Sequence, residues 1–444
     1  MIRDLQELDR AILYSVRKCA SLPHSGTPLH YIYGSVSKGG LGVLSLEEEY
    51  HLQSINMLSR QLYSPDRNVR KFFRNMIQHA SKKWLFRSGP NISLDDVIGV
   101  LNSRNDGKFY YKTANTESHG PLTRLRRSVR FLKHLRKGFK TFEFCLENGE
   151  IILKLSTAKG DDIVLHPKQR NFYRALRKLL QENHIERLSA DYPLKGRCTE
   201  AISTSPQSSV FNIRGNGITF SGYRFIHRAR LQLHMVRDSP IWKSKQEHLS
   251  QEDTMCRKCH QHPESMAHIQ CFCQYNLTEM QKRHDAILNR IVRAIPSEPT
   301  AEIRVNQVLG ERQKRPDIVK IDSVKKRATI VDVACTFEAS LNSLDKAYSA
   351  KIEKYHDEAT FLEAQGFKVS RGAIVVGTLG AWYPKNEKSL RCLGIYKPSQ
   401  KKILPHIIGE TIEHSKTIFW QHVLGDRYEL PKNMYNQPKE NKSQ

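Results

Sequence analysis

The stretch RPDIVKIDSVKKRATIVDVACTF, residues 315–337, decides the fold of the C-terminal half of this chain. An apolar strand starts at Ile318, a basic turn follows at Lys325 to Arg327, and a second strand runs over residues 328–337, so the segment reads as a β-hairpin. Asp317 begins the first strand and Asp332 lies inside the second, between Val331 and Val333. Burying a carboxylate there is costly unless a cation balances it, and a divalent metal shared with Asp317 would do so. The following segment, SLDKAYSAKIEKYHDEATFLEAQG, has Leu344, Tyr348, Ile352, Tyr355, Ala359 and Leu362 at helical spacing and reads as one amphipathic helix. It carries Lys351, Lys354 and Tyr355 on neighbouring turns, within reach of one end of the hairpin. Phosphodiester hydrolysis needs acids that hold a metal and a lysine that orients the nucleophile or neutralises the transition state.

Upstream, CRKCHQHPESMAHIQCFC supplies Cys256, Cys259, His268 and Cys273 at the spacing of a structural zinc site. Four protein ligands leave no position for a reacting water, so Zn2+ here orders a segment too small to fold on its own apolar core. Cys271, His260 and His262 are possible replacements within the same tract. Nine cysteines, an odd number with four of them in this one segment, suit metal binding in a reducing compartment better than a disulfide framework.

Lysine and arginine number 71 against 45 acids, a formal charge of +26. That excess points to a polyanionic partner, with nucleic acid first. A membrane partner is not expected: the longest apolar stretches, such as residues 330–337, fall well short of the roughly 18 residues of a span. The N-terminus has acids in its first turns and lacks the apolar region of a secretory signal. The most basic run, LTRLRRSVRFLKHLRKGFK, sets Leu125, Val129, Leu132 and Leu135 in an apolar stripe. Arg124, Arg126, Arg127, Arg130, Lys133, Arg136 and Lys137 are then expected on the phosphate-facing side. Length predicts two to four domains. Residues 1–62 read as helices broken by SLPHSGTP, with Ser45 and Glu48 as a capping box, and residues 141–165 as short strands joined by an Asn-Gly turn. A helix follows to about Leu188, the polar TEAISTSPQSSVFNIRGNG reads as a linker, and residues 431–444 as a disordered tail.

The order of the Cys/His knuckle, RPDIV, IVDV, KIEKY and GAIVVGTLGAWYPKN resembles the C-terminal part of non-LTR retrotransposon polyproteins that carry a restriction-like endonuclease, the site-specific type inserting into ribosomal RNA genes. QKRHDAILNRI resembles that family's arginine-histidine helix and adds Arg283 and His284 to the expected nucleic-acid contacts. LPHSGTP followed by GGLGVLSL resembles the thumb of the same reverse transcriptases. The likeness is strongest over residues 225–384 and weaker over 67–206.

The resemblance implies a multidomain chain: a helical thumb-like part (1–66), a mixed basic linker (67–250), a zinc knuckle with its following helix (251–295), an α/β nuclease core of PD-(D/E)xK type (296–430) and the tail. It makes Asp317 and Asp332 the acids for Mg2+ or Mn2+. Ala334 stands two residues after Asp332, where that motif has lysine, so the catalytic lysine moves to the next helix, with Lys351 first and Lys354 second. Glu298 and Glu311 are candidates for an assisting acid. The implied activity is nicking of target double-stranded DNA in the nucleus, the freed 3′ hydroxyl priming reverse transcription of the element's RNA. No Tyr-x-Asp-Asp or Phe-x-Asp-Asp segment occurs, so polymerisation is expected to need the remaining reverse transcriptase domains. The chain is then expected to be a fragment of a longer polyprotein or a degenerate or domesticated remnant, with a non-cutting nucleic-acid-binding protein as the alternative reading.

Overall fold

Turn chemistry and helix caps divide the chain much as its sequence suggests, but its cores divide it elsewhere. The computed structural model describes residues 2–85, 92–104, 120–134, 139–215, 217–244, 250–310 and 312–425. Arg136, Lys137, Glu311 and the tail 431–444 lie outside the described residues. Two compact units result: Met1–Lys18, Thr27–Val36 and Gly40–Pro193 form the first, and Cys19–Gly26, Ser37–Gly39 and Leu194–Gln444 the second. The molecule is a multidomain, mixed helix and sheet protein.

The first unit contains α1 (Ile2–Ala20), α2 (Leu29–Tyr33), α3 (Leu46–Leu62), α4 (Arg67–Ser81), α5 (Leu94–Leu101), α6 (Pro121–His134), strands β1 (Thr141–Glu147), β2 (Glu150–Ser156) and β3 (Asp162–Leu165), and α7 (Phe172–Asp191). Ser45 caps α3, its hydroxyl accepting from the Glu48 amide and donating to Asp9. The three strands form an antiparallel meander, with Asn148 (φ 51°) and Gly149 (φ 76°) making the two-residue turn expected of Asn-Gly. Phe142, Phe144, Leu153 and Leu155 meet the α6 stripe of Leu125, Val129 and Leu132 in one core. Leu62, Phe73 and Ile77 enter that same core, so residue 66 is not the edge of a separate thumb-like domain.

Arg126 corrects the reading of the basic run. It is 4% exposed, stacks on Trp84 at 4.8 Å and donates to Ser103 Oγ at 2.9 Å, so it serves the core and does not face a phosphate. Arg124 and Arg130 are exposed, Arg127 is half-buried, and Lys133 pairs with Glu143.

The second unit contains α8 (Thr199–Ser203), α9 (Val210–Arg214), α10 (Phe220–Arg230), α11 (Pro240–Lys243), α12 (Met266–Cys271), α13 (Leu277–Val292), β4 (Ala301–Val305), β5 (Ile318–Asp322), β6 (Arg327–Thr336), α14 (Leu341–Lys354), α15 (His356–Ala364), β7 (Lys368–Gly377), α16 (Asn386–Cys392) and α17 (Lys397–Leu424). Its sheet has the order β4-β5-β6-β7, antiparallel except for the parallel β6/β7 pair, which α14 and α15 connect. Residues 199–215 are not a linker. Ala201, Ile202, Val210 and Phe211 join the core, and the polar residues between them satisfy buried groups: Ser208 Oγ accepts from the Trp382 amide, while the Ser208 carbonyl and Ser209 Oγ accept from Arg230.

The expected single helix over 343–366 is two, because the chain turns at Tyr355 (φ −108°, ψ 28°). The knuckle is not a separate domain either. Met266, Ile269, Ile287 and Ile291 share the core with Ile408, Ile412 and Phe419 of α17. The approach of α17 is close: a Cβ on Gly409 would lie 1.5 Å from the Gly217 carbonyl oxygen, so only glycine fits there.

Candidate metal centre and carboxylate site

The Cys/His cluster begins in a tight turn. The Cys256 amide donates to the His262 carbonyl, the His260 amide to the Cys256 carbonyl, and the Cys259 amide points at Cys256 Sγ at 3.5 Å. His260 takes φ 54° to close this turn. Ser265 caps α12 through the His268 amide, and the end of that short helix turns Cys273 back towards His268. Cys256, Cys259, His268 and Cys273 thereby bring four ligand atoms within 4.8 Å of one another. Cys256 Sγ is 3.9 Å from Cys273 Sγ, and Cys259 Sγ is 3.3 Å from His268 Nε2. Tetrahedral zinc, with bonds of about 2.3 Å to sulfur and about 2.0 Å to nitrogen, spaces its ligands by roughly 3.4–3.8 Å. The cluster can hold a metal ion, and its donors suit zinc.

Protonation favours His268 and Cys259, whereas burial pushes the Cys273 thiol up to about 12. Burial pushes His268 down, which leaves the neutral imidazole that a metal needs. Burial pushes the Cys259 thiol up, but the amides of Gln261 and His262 outweigh it and hold it below the usual range. Among the alternatives, burial pushes the Cys271 thiol up to about 12 just as it does Cys273, so position and not protonation selects Cys273 for the cluster, and His260 and His262 are exposed. His422, which no spacing pattern signals, joins the cluster from α17: its Nε2 lies 3.5 Å from Cys256 Sγ.

The carboxylates come together through strand register. Ile318 pairs with Val331, so Asp317 stands opposite Asp332 across β5 and β6. Val331 and Val333 face the larger core, whereas Ala328 and Ile330 join Tyr355, Ala359 and Leu362 in a smaller one. Alternation puts Asp332 on that second side. Asp332 is 1% exposed and Asp317 8%. Asp317 Oδ2 accepts from the Val333 amide at 2.6 Å and lies 3.1 Å from His284 Nε2. Asp332 Oδ1 accepts from the Tyr355 hydroxyl at 2.8 Å and from the Asp317 amide at 3.3 Å. Its Oδ2 has Lys351 Nζ 2.5 Å away as an ion pair, with no hydrogen-bond donor aligned on it among the described residues.

Burial pushes Asp317 upwards, but His284 and the Val333 amide together hold it below the ordinary carboxylate range. Burial likewise pushes His284 down, and Asp317 and Asp285 more than reverse it. Burial beside Asp332 keeps the Tyr355 hydroxyl protonated, ready to donate.

Of the expected site residues, Asp317, Asp332 and Lys351 converge. Lys354 is exposed and sits 4.8 Å over the Tyr355 ring instead. Glu298 is elsewhere, paired with Lys320 at 2.7 Å and Lys325 at 3.5 Å in a separate cleft. Arg283, expected to touch nucleic acid, is 2% exposed and donates to the Gln270 side chain and carbonyl and to Ser415 Oγ, fastening α13 to α12 and α17. His284, expected in the same role, faces Asp317. Their adjacency explains the split: neighbours on a helix point about 100° apart.

A protein family described as the T26G10.4 domain matches residues 54–233. A Caenorhabditis elegans protein described as "Uncharacterized protein T26G10.4" is 20% identical over 240 residues, covering 52% of this chain and 66% of the relative, just under two thirds of its length. The family match ends before Cys256, so it includes neither cluster. The chain is similar to this family over the larger part of the first unit, from residue 54, and the beginning of the second.

Proposed function

We propose that the chain is the nicking end of a non-LTR retrotransposon protein, a divalent-metal-dependent DNA endonuclease with a PD-(D/E)xK-type core. The convergence of Asp317, Asp332, Lys351 and Tyr355 on one side of the sheet carries this reading. The donor set fits a hard cation: two carboxylates meet, and the buried Asp332 Oδ2 has no aligned hydrogen-bond donor among the described residues. Asp317 and Asp332 would hold Mg2+ or Mn2+, which when bound lowers the pKa of water and neutralises phosphate charge. The protein's own groups have distinct tasks. His284 and the Val333 amide fix Asp317; Tyr355 fixes Asp332. Lys351 supplies the positive charge that orients a nucleophile or offsets charge on the phosphate. Zinc at the knuckle orders the segment before α13, which carries His284. Target DNA and element RNA are the proposed partners in the nucleus, together with the remaining reverse transcriptase domains if the chain is a fragment of a longer polyprotein.

The test is nicking of supercoiled plasmid by the purified chain with Mg2+ or Mn2+. Activity in the wild type that Asp332→Asn removes supports the enzyme. Equal activity in both proteins, or none in either, overturns it for this chain. One observation favours the second reading, a nucleic-acid-binding remnant that no longer cuts: His284 and Lys351 already engage both acids. That reading predicts salt-sensitive DNA binding without metal-dependent nicking.

A further inference from the structure

His422 stands in the last turn of α17, 1% exposed, far in sequence from the four residues of the Cys/His cluster. Its ring is fixed from both sides. Asn276 Nδ2 donates to the Ile269 carbonyl at 3.0 Å, which identifies that atom as the amide nitrogen, and the same nitrogen lies 3.0 Å from His422 Nδ1. An amide nitrogen only donates, so His422 Nδ1 accepts and, in the neutral ring, Nε2 carries the proton. Nε2 lies 3.5 Å from Cys256 Sγ and 3.5 Å from Glu264 Oε2.

Two roles are chemically open to His422. In one, Cys256, Glu264 and His422, whose ligand atoms also cluster, hold an ion of their own. Glu264 argues against this: its Oε1 accepts from Arg257 Nη2 and the Arg237 amide, and its Oε2 from Arg257 Nε and the Arg257 amide. A carboxylate so fully engaged, beside an imidazole whose facing nitrogen is protonated, offers no free lone pair on either. The other role follows from charge. Three thiolates and one neutral imidazole around Zn2+ leave a net charge of −1 in a buried site, and an N–H aimed at one thiolate offsets it.

We propose that His422 is a positioning residue of the metal cluster, its Nε2–H donating to the Cys256 thiolate, so that metal loading and the seating of the C-terminal turn of α17 stabilise each other. The proposal rests on the Cys/His cluster holding a metal and is independent of nicking.

The full-length chain, stripped of metal, is titrated with Zn2+ against a chromophoric chelator and, separately, with Co2+ to read the thiolate-to-cobalt absorption. His422→Phe keeps the bulk and removes the donor; metal affinity is expected to fall by about 10- to 100-fold, as for other outer-shell partners, with a shifted cobalt band. His422→Gln, which retains an N–H, recovers part of the loss, and Asn276→Leu, which frees the tautomer, loses affinity as well. In the wild type, removing the metal raises hydrogen exchange over residues 418–424, a measurement that stands even where a variant does not fold. Wild-type affinity in His422→Phe, or unchanged exchange on metal removal, overturns the proposal. So do two bound equivalents of which Glu264→Gln removes one. A wild-type chain that binds no metal at all instead overturns the reading of the cluster itself.

Discussion

The Cys/His cluster and the carboxylate cluster both gather buried donors in the second unit, but they balance their charge differently. At the knuckle the four ligand atoms lie within 4.8 Å of one another, and nearby Arg257 is committed to Glu264. At the sheet each acid already has a protein partner, the His284 imidazole for Asp317 and the Lys351 ammonium for Asp332. A site of the first kind leans on its metal for folding; a site of the second kind is folded before any metal arrives. Loss of metal and loss of activity should therefore separate in this chain.

The largest expected effect tests that separation directly. Asp332→Asn keeps an acceptor for Tyr355 and removes the charge, so nicking should fall below detection while the melting temperature changes little. A parallel collapse of stability would show that the acid is structural. Next in size, Lys351→Ala should slow nicking by about 100- to 1000-fold, the scale of losing one transition-state charge donor, while Lys354→Ala should stay within a few-fold. Equal losses from both would undo the assignment that their different surroundings support. The knuckle should behave in the opposite sense. Cys256→Ser with Cys259→Ser is expected to release about one equivalent of zinc and loosen the surrounding segment, read by elemental analysis and limited proteolysis.

Two smaller effects mark the regions outside both clusters. Arg126→Ala should cost about 1–3 kcal/mol by removing a buried donor, whereas Arg124→Ala and Arg130→Ala should leave stability within about 0.5 kcal/mol and flatten the salt dependence of DNA binding. Acid should weaken the fold through histidines that belong to neither cluster. Burial holds His51 down to about 4, and burial with Arg230 nearby holds His227 down to about 3. Burial also holds His234 down to about 3. Unfolded, each takes its proton near 6.5, so the unfolded state binds more protons as pH falls. Their contribution is full above that value and drains away towards about 4 in the first unit and about 3 in the second. Urea melts from pH 7.5 to 4.5 should decline in step; flat stability would rule this out.

Local grammar was legible where chemistry acts between near neighbours. The Asn148-Gly149 turn, the Ser45 cap, the hairpin over 315–337 and the four knuckle residues all follow from a few adjacent side chains. The features that escaped are set by distant packing. Polar residues 199–217 read as a linker because their serines look like solvent contacts, yet Ser208 and Ser209 serve Trp382 and Arg230, met only after folding. Arg126 and Arg283 sit in runs whose charge suggests a surface, and only Trp84 in one case and Gln270 and Ser415 in the other reveal them as interior. His422 carries no pattern at all.

The contact of Gly409 with Gly217 sets more than a local fit. Two main chains pressed together act as an index mark along the axis of α17: a slip of one residue would move the helix by about 1.5 Å and turn it by about 100°. His422 lies 13 residues beyond that mark, about 20 Å along the helix. The aim of its imidazole at Cys256 is thus gauged from the middle of the helix, where two residues without side chains meet.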